Sequence, residues 1–389
     1  MYDYIIIGGG ISGLYCALHL DNCLLLETDN NLGGRLFTNK KPHYEIGAGR
    51  YSSNDTILIS LINYFKMTHI PIGSKIDYIH KTEHSPLYIE NADKLFNDKI
   101  KTLHKSKIPL DLYNITMEEY CIQKFGKKIT DDLINMFGYV AEFKHLNAYD
   151  SITQLTNYTN DKYFIVKEGF SELVHRMSKH IDYKLNHKVL NVEKIDDYYK
   201  VDQYFTKKII FAIPQIHLLK FDILKPITHL LESVHTNKLL RIYAIYNNKW
   251  FEGLPTMTTN SFIRHIIPIN SKTGLIMIAY VEGEDVNPYL NKEGKIEKDV
   301  VIKNKIQKEL KLLFPDKKII EPTYFKSHLW KIGDHSWKPG YNTKKIAKQI
   351  LNPMKNIYIC GEAFSHKQAW IEGALQTATN VLDILDNKK

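Results

Sequence analysis

The sequence predicts an α/β chain: a Rossmann-like nucleotide-binding domain, discontinuous along the sequence, with an inserted α+β domain. Three observations carry this. The chain opens on an apolar run, Tyr2 to Ile7, that passes at once into Gly8-Gly9-Gly10-Ile11-Ser12-Gly13. A second apolar run, Cys23 to Leu26, ends at the acid Glu27. Near the C-terminus, Ile357 to Cys360 reads as a buried strand running into Gly361-Glu362, and Trp370 then opens a final helix.

The first two runs make the succession strand, glycine turn, helix, strand, acid. In a G-x-G-x-x-G turn the first glycine, Gly8, lets the chain leave the strand sharply. Gly10 lets backbone approach a pyrophosphate, and Gly13 lets the helix sit close to the sheet. The helix N-terminus offers amides and partial positive charge to phosphate. Glu27 stands 14 residues past Gly13, where a carboxylate can accept hydrogen bonds from a ribose 2′-hydroxyl. The pattern leaves NAD, NADP and FAD open, although an acid at Glu27 disfavours a 2′-phosphate by like-charge repulsion.

With 389 residues and 44% apolar side chains, the chain suits two or three folding units around a large core. Its net charge of +9 could suit nucleic acid or an anionic surface. The lysines are scattered, however, in pairs such as Lys40-Lys41 and Lys207-Lys208, and no nucleic-acid-binding signature accompanies them. A solvated surface is expected, with no nucleic-acid partner. Cys16, Cys23, Cys121 and Cys360 form no C-x-x-C, so buried thiols are expected rather than a disulfide framework or a metal site. No secretory pattern precedes the first strand and no apolar stretch is long enough to span a bilayer, so a cytoplasmic location is expected.

Taken in order, Leu32-Gly33-Gly34-Arg35 follows the second strand and brings a fixed cation near phosphate. Tyr44 to Ile46 then enters the small-residue turn Gly47-Ala48-Gly49-Arg50. Ser52 or Ser53 is expected to cap a helix with Ile57, Leu58, Leu61, Ile62 and Phe65 on one face. Between 76 and about 165, Tyr78-Ile79 and Leu87 to Ile89 suggest a hairpin, and helical patterns follow near 116–125 and 130–139. Lys167 to Leu173 reads as a glycine turn into a helix. Strands are expected over 185–195, which includes Val189, and over 198–201 and 207–213. Further strands are expected at 239–246 and 275–281, before an amphipathic helix over 299–313 carrying Ile302, Ile306, Leu310 and Leu313 on one face.

The glycine turn, Glu27, Gly33-Gly34-Arg35 and the Gly361-Glu362 and Trp370 to Leu375 segments together resemble the flavin-containing amine oxidase superfamily, which includes L-amino-acid, monoamine and polyamine oxidases. The resemblance covers both ends of the chain well and the middle third loosely. It implies FAD as cofactor, held by Gly8, Gly10, Ser12, Gly13, Glu27, Gly33, Gly34, Arg35, Gly49, Arg50, Val189, Gly361, Glu362 and Ile371. The FAD-binding domain is expected to comprise 1–75, 166–224 and 325–389. The substrate domain is expected to comprise 76–165 and 225–324. His335-Ser336-Trp337-Lys338-Pro339-Gly340 has no cysteine where monoamine oxidases carry their flavin-linking one, so the FAD is expected to be non-covalent.

Within that resemblance, Arg50 matches the arginine by which amino-acid oxidases grip the substrate carboxylate, a bidentate contact for which guanidinium is suited. The alternative for Arg50 is service to the FAD phosphates or an internal ion pair. Trp370 matches an aromatic wall of the substrate pocket, against an alternative of helix packing. Arg241, in the strand ahead of Trp250, occupies the place of a lysine that many relatives use in catalysis. An arginine there stays protonated and cannot accept a proton, which departs from the family pattern and leaves the reaction with oxygen in question.

The implied activity is oxidative deamination of a primary amine, with an L-amino acid favoured. Hydride would pass to flavin N5, and the products would be an oxo compound, ammonia and hydrogen peroxide, with molecular oxygen as acceptor. The alternatives are a polyamine or monoamine oxidase, a flavin desaturase or isomerase, and a non-catalytic binding protein of the GDP-dissociation-inhibitor type.

Overall fold

The computed structural model describes residues 1–103, 108–157 and 162–387. It divides into two compact units, Met1–Gly73 with Asp161–Thr236 and Asp334–Lys389, and Ser74–Asn160 with Asn237–Gly333. The later changes of unit fall at 236/237 and 333/334 rather than at the expected 224/225 and 324/325. Both lie inside long strands, Val234–Ile245 and Tyr324–Trp337, and a strand interior has no turn residue to mark a boundary.

The first unit is built on a largely parallel sheet. Its strands are β1 (Tyr2–Ile7), β2 (Cys23–Leu26), β3 (Tyr183–Lys184), β4 (Val192–Ile195), β5 (Tyr198–Val201), β6 (Tyr204–Phe211) and β7 (Ile357–Ile359). The order is β3-β2-β1-β6-β5-β4, with β7 pairing alongside β6. β1 pairs in parallel with β2 and β6, in the registers Ile7↔Leu26 and Ile7↔Phe211. β7 pairs in parallel with the end of β6, Phe211 opposite Ile359. Consequently the carboxyl ends of β1, β2, β6 and β7 share one edge, where ligands of open parallel sheets bind. β1 and β2 read as continuous apolar runs because a parallel sheet covered on both faces needs them so; Ile5, Ile6, Leu25, Ile209 and Ile210 are fully buried.

Four helices of this unit supply its core: α1 (Ile11–His19), α2 (Thr56–Tyr64), α3 (Phe170–Ser178) and α4 (Ile371–Asp386). Leu14 and Cys16 of α1, Leu58 and Ile62 of α2, Leu173 and Met177 of α3 and Leu375, Ala378 and Val381 of α4 meet in one core with Tyr4, Ile6 and Leu25. Each such leucine or isoleucine contributes roughly 1.5–3 kcal/mol by burial.

The strand expected over 185–195 forms only at Val192–Ile195. Asn186 turns the chain with φ +55°, so Val189 lies in the connection ahead of that strand, buried at 8% exposure. Neither Ser52 nor Ser53 caps α2. Asp55 stands at the cap position without a side-chain cap hydrogen bond, and the cap comes from Glu372, far along the chain.

The second unit has its own mixed sheet. Its strand order is Tyr324–Trp337, Val234–Ile245, Leu275–Glu282, His265–Asn270, Thr256–Thr259, Ile76–His80 and Leu87–Ile89. The hairpin expected from Tyr78 and Leu87 is present, with Tyr78 opposite Ile89. Helix Asp299–Leu313 matches its apolar periodicity and buries Ile302, Ile306 and Leu310 against the sheet core. A separate cluster joins Phe96, Met117, Tyr120, Leu133, Phe143 and Ile152 from the helices of 92–157. Helix Met117–Phe125 starts where it does because Thr116 and Glu119 form a reciprocal capping box.

All four cysteines are buried thiols. Among the described residues no helix is long and apolar enough to cross a membrane, and no group of three His, Cys, Asp or Glu could hold a metal ion.

Candidate active site

The glycine turn sits in the first unit, at the end of β1. The packing distinguishes two of its glycines. A Cβ on Gly13 would lie 2.0 Å from the Gly8 carbonyl oxygen and 3.2 Å from the Ala212 Cβ, so only glycine lets α1 seat against the turn and β6. A Cβ on Gly10 would meet nothing within 4 Å. Gly10 is also the N-cap of α1, so no cap side chain stands over the first amides of the helix, which have no intrahelical acceptor. Open space in front of uncapped helix amides is what a phosphate needs. On these observations the residues present fit the phosphate half of a dinucleotide such as FAD.

Glu27 stiffens the turn as well as facing it. Its carboxylate accepts from the Gly9 amide at 2.6 Å and from the Asp29 amide at 2.8 Å. A carboxylate has about four lone-pair positions, so capacity remains for hydroxyl donors. Gly33 is tied to the same turn, its amide donating to the Gly9 carbonyl at 2.8 Å. A Cβ on the next residue, Gly34, would stand 3.3 Å from the Gly10 Cα. Arg35 follows directly, and its carbonyl accepts from Ala48 at 3.0 Å. This contact brings the 47–50 turn, with Gly49 and Arg50, alongside.

The C-terminal strand β7 delivers Gly361 and Glu362 to the same place. The Gly361 Cβ direction ends 3.9 Å from the Ser12 hydroxyl oxygen, and Ser12 is buried in the first turn of α1. Glu362 is 4% exposed and pairs with Arg35 at 2.9 Å. It also accepts from the His335 amide at 3.0 Å, from His335 Nδ1 at 2.8 Å and from the Ala369 amide at 2.7 Å. Burial pushes its pKa up, but the Arg35 charge and the hydrogen bonds from His335 and Ala369 outweigh that and hold the carboxyl well below the ordinary range. His335 carries no sequence signal of its own, yet it is among the most enclosed polar side chains here.

Beside this network lies an aromatic and cationic patch. Trp370 is the N-cap of α4, with Ile371, buried at 6% exposure, the helix's first residue. The Trp370 ring stacks on Tyr163 with 6.1 Å between centroids and 23° between planes. The Arg50 guanidinium carbon stands 5.0 Å from the Tyr163 ring centre and 5.9 Å from that of Trp370. Lys367 stands 5.5 Å from the Trp370 ring centre and pairs with the buried Asp55. Arg50 and Trp370, far apart in sequence, therefore share one aromatic corner, and Tyr163 is a member that sequence reading missed. Glu372, two residues past Trp370, accepts from the amides of Ile57 and Leu58, each at 3.0 Å. That carboxylate is the actual cap of α2.

Arg241 belongs to the second unit. It lies in strand Val234–Ile245 opposite Tyr280, 8% exposed, with its guanidinium carbon 4.5 Å from the Tyr280 ring centre. Trp250 is a core residue of that unit, packed against Tyr246 and Phe314.

Residues 11–381 match the family model of flavin-containing amine oxidoreductases. An uncharacterized protein of Acanthamoeba polyphaga mimivirus is 21% identical over 487 aligned positions, covering 98% of this chain and 93% of that one. A putrescine oxidase bound to putrescine has a similar fold, with TM-score 0.78, 16% identity and 99% of each chain covered. A candidate protoporphyrinogen oxidase from Exiguobacterium aligns with TM-score 0.75 and 16% identity, over 100% of this chain and 99% of the other. With the glycine turn, its acid and the C-terminal Gly-Glu element assembled in one unit, and the family pattern running over nearly the whole sequence, the chain belongs to the flavin-containing amine oxidoreductase family.

Proposed function

We propose that this protein is an FAD-dependent amine oxidase whose substrate carries a carboxylate beside its amine, as an L-amino acid does. The observation that supports the substrate class is the placement of Arg50 at the corner made by Trp370 and Tyr163. A guanidinium held over aromatic faces loses little entropy on binding and offers two parallel N–H donors to a carboxylate. Its charge, with that of Lys367 on the same ring, disfavours a diammonium substrate, although Asp55 offsets the Lys367 charge.

The α1 amides, Glu27, Arg35 and Glu362 are the residues that would hold FAD, without a covalent link. When bound, FAD supplies the two-electron acceptor for oxidation of the carbon bearing the amine. The chain's own contribution is placement. Arg50 anchors one end of the substrate, and the Trp370 and Tyr163 rings exclude water from around it. Arg241 adds a permanent buried charge on its strand and cannot act there as a proton acceptor.

The test is a peroxide and ammonia assay on purified yellow protein, with a panel of L-amino acids, putrescine and aromatic amines. Peroxide and ammonia from an amino acid support the proposal. Turnover of putrescine alone overturns the substrate class, and flavin reduction without ammonia overturns amine oxidation.

A further inference from the structure

His335 has a side chain with no solvent exposure, and its Nε2 meets no hydrogen-bond partner among the described residues. A buried polar nitrogen left without a partner carries a desolvation cost, so a native structure retains one where something else completes it. The rest of the ring is rigidly engaged. Nδ1 lies 2.8 Å from a Glu362 oxygen, and the His335 amide donates to the other oxygen at 3.0 Å. Glu362 stays ionised beside Arg35 and can only accept, so Nδ1 carries the proton. In the neutral ring Nε2 is then a lone-pair acceptor.

The position of this acceptor is informative. Glu362 follows Gly361, whose missing side chain faces Ser12 at the start of α1. Arg35, which pairs with the same Glu362 oxygen as His335 Nδ1, follows Gly34, which lies against Gly10. The acceptor is therefore presented by the same group of residues that surrounds the open helix N-terminus.

We infer that His335 is a cofactor-binding residue whose Nε2 accepts a hydrogen bond from a hydroxyl or N–H group of FAD, with Glu362 as the residue that fixes its tautomer. This rests on the reading of the protein as an FAD enzyme. It differs from a purely structural role, in which His335 would serve only to satisfy Glu362.

The side-chain amide of asparagine reaches the Nδ1 position and that of glutamine the Nε2 position, so the two substitutions separate these roles. Wild type, His335→Asn, His335→Gln and His335→Phe are purified with FAD, and flavin fluorescence on dilution gives the FAD dissociation constant of each. His335→Asn and His335→Phe are expected to bind FAD about 10-fold more weakly, as loss of one hydrogen bond implies. His335→Gln is expected to stay within about 3-fold of wild type. Equal affinities for Asn and Gln, or wild-type affinity in the Phe variant, overturn the proposal. Binding of ADP by the flavin-stripped proteins locates the donor: a loss seen for FAD alone places it on the flavin half, and an equal loss for ADP places it on the adenosine half.

Nitrogen-15 resonances of the histidine rings in the wild-type protein test the proposal without any substitution. The His335 Nε2 signal is expected to shift from a bare-acceptor position when FAD is added, and an unmoved signal in FAD-loaded protein overturns the proposal. A wild-type protein that takes up no FAD overturns the cofactor reading itself, which is a distinct result.

Discussion

Arg35 and Glu362 form an ion pair of 2.9 Å between residues 327 positions apart, with Glu362 almost wholly buried. The pair joins the element after β2 to the element after β7 and so locks the mouth of the glycine turn. Glu362 has its pKa lowered from an ordinary 4.5. A carboxyl depressed in the folded state contributes stability that is fully present above its unfolded value and lost as pH falls through its folded value. Arg35→Ala is therefore expected to cost about 2–3 kcal/mol at pH 7, somewhat less than for a fully buried pair because Arg35 is partly exposed. The difference from wild type should shrink as the pH drops below about 4. Thermal unfolding of both flavin-stripped proteins between pH 3 and 8 checks this, and a constant difference would speak against the pair.

Gly10 and Gly13 should behave oppositely when given a methyl group. Gly13→Ala drives a Cβ to 2.0 Å from the Gly8 carbonyl oxygen, so the folded protein itself should be destabilised by several kcal/mol, in the range of overpacked cores. Gly10→Ala places its Cβ in open space at an ordinary φ of −69°. The flavin-stripped variant should be as stable as wild type or up to about 1 kcal/mol more so, yet bind FAD poorly. Denaturant melts paired with flavin content measure both effects. Normal FAD loading of Gly10→Ala would show that phosphate does not approach there.

Removing the Glu372 carboxylate should weaken α2, in another part of the sequence. Glu372→Ala leaves the amides of Ile57 and Leu58 without their acceptor, at an expected cost of about 1–2 kcal/mol by analogy with helix caps. Hydrogen exchange should quicken first at these two amides. Unchanged protection there would refute the capping role.

Glu142, in the second unit, has an enclosed Oε2 that meets no partner among the described residues. Burial pushes its pKa up to about 7. A group raised in the folded state contributes stability that is complete below its unfolded value and lost as pH rises through its folded one. Glu142→Gln should therefore match wild type near pH 4 and exceed it in melting temperature at pH 8. Equal melting temperatures at pH 8 would mean that the carboxyl is solvated.

The parts of this structure that were legible in the sequence are those fixed by local constraints. A glycine turn needs its glycines at set spacings, which made β1, α1 and β2 readable. Apolar periodicity marked helix 299–313. The parts that were missed depend on residues distant in sequence. The cap of α2 is a carboxylate 315 positions away from Ile57, so Ser52 and Ser53 were natural but wrong candidates. The run 185–195 alternates like a strand, but Asn186 takes a left-handed conformation that ends pairing early. Tyr163 and His335 belong to ordinary strand sequences, and only tertiary packing sets them beside Trp370 and Glu362.

The central claim is that Arg50 receives a carboxylate, and comparing Arg50→Ala with wild type tests it most directly. The amino acid that wild type oxidises fastest and putrescine would be assayed side by side. We expect kcat/KM for the amino acid to fall roughly 10–100-fold, as loss of a charged hydrogen-bonded contact implies, mainly through KM. Arg50→Lys should recover part of it, and putrescine turnover should not fall. Unchanged kcat/KM for the amino acid in Arg50→Ala would contradict the claim.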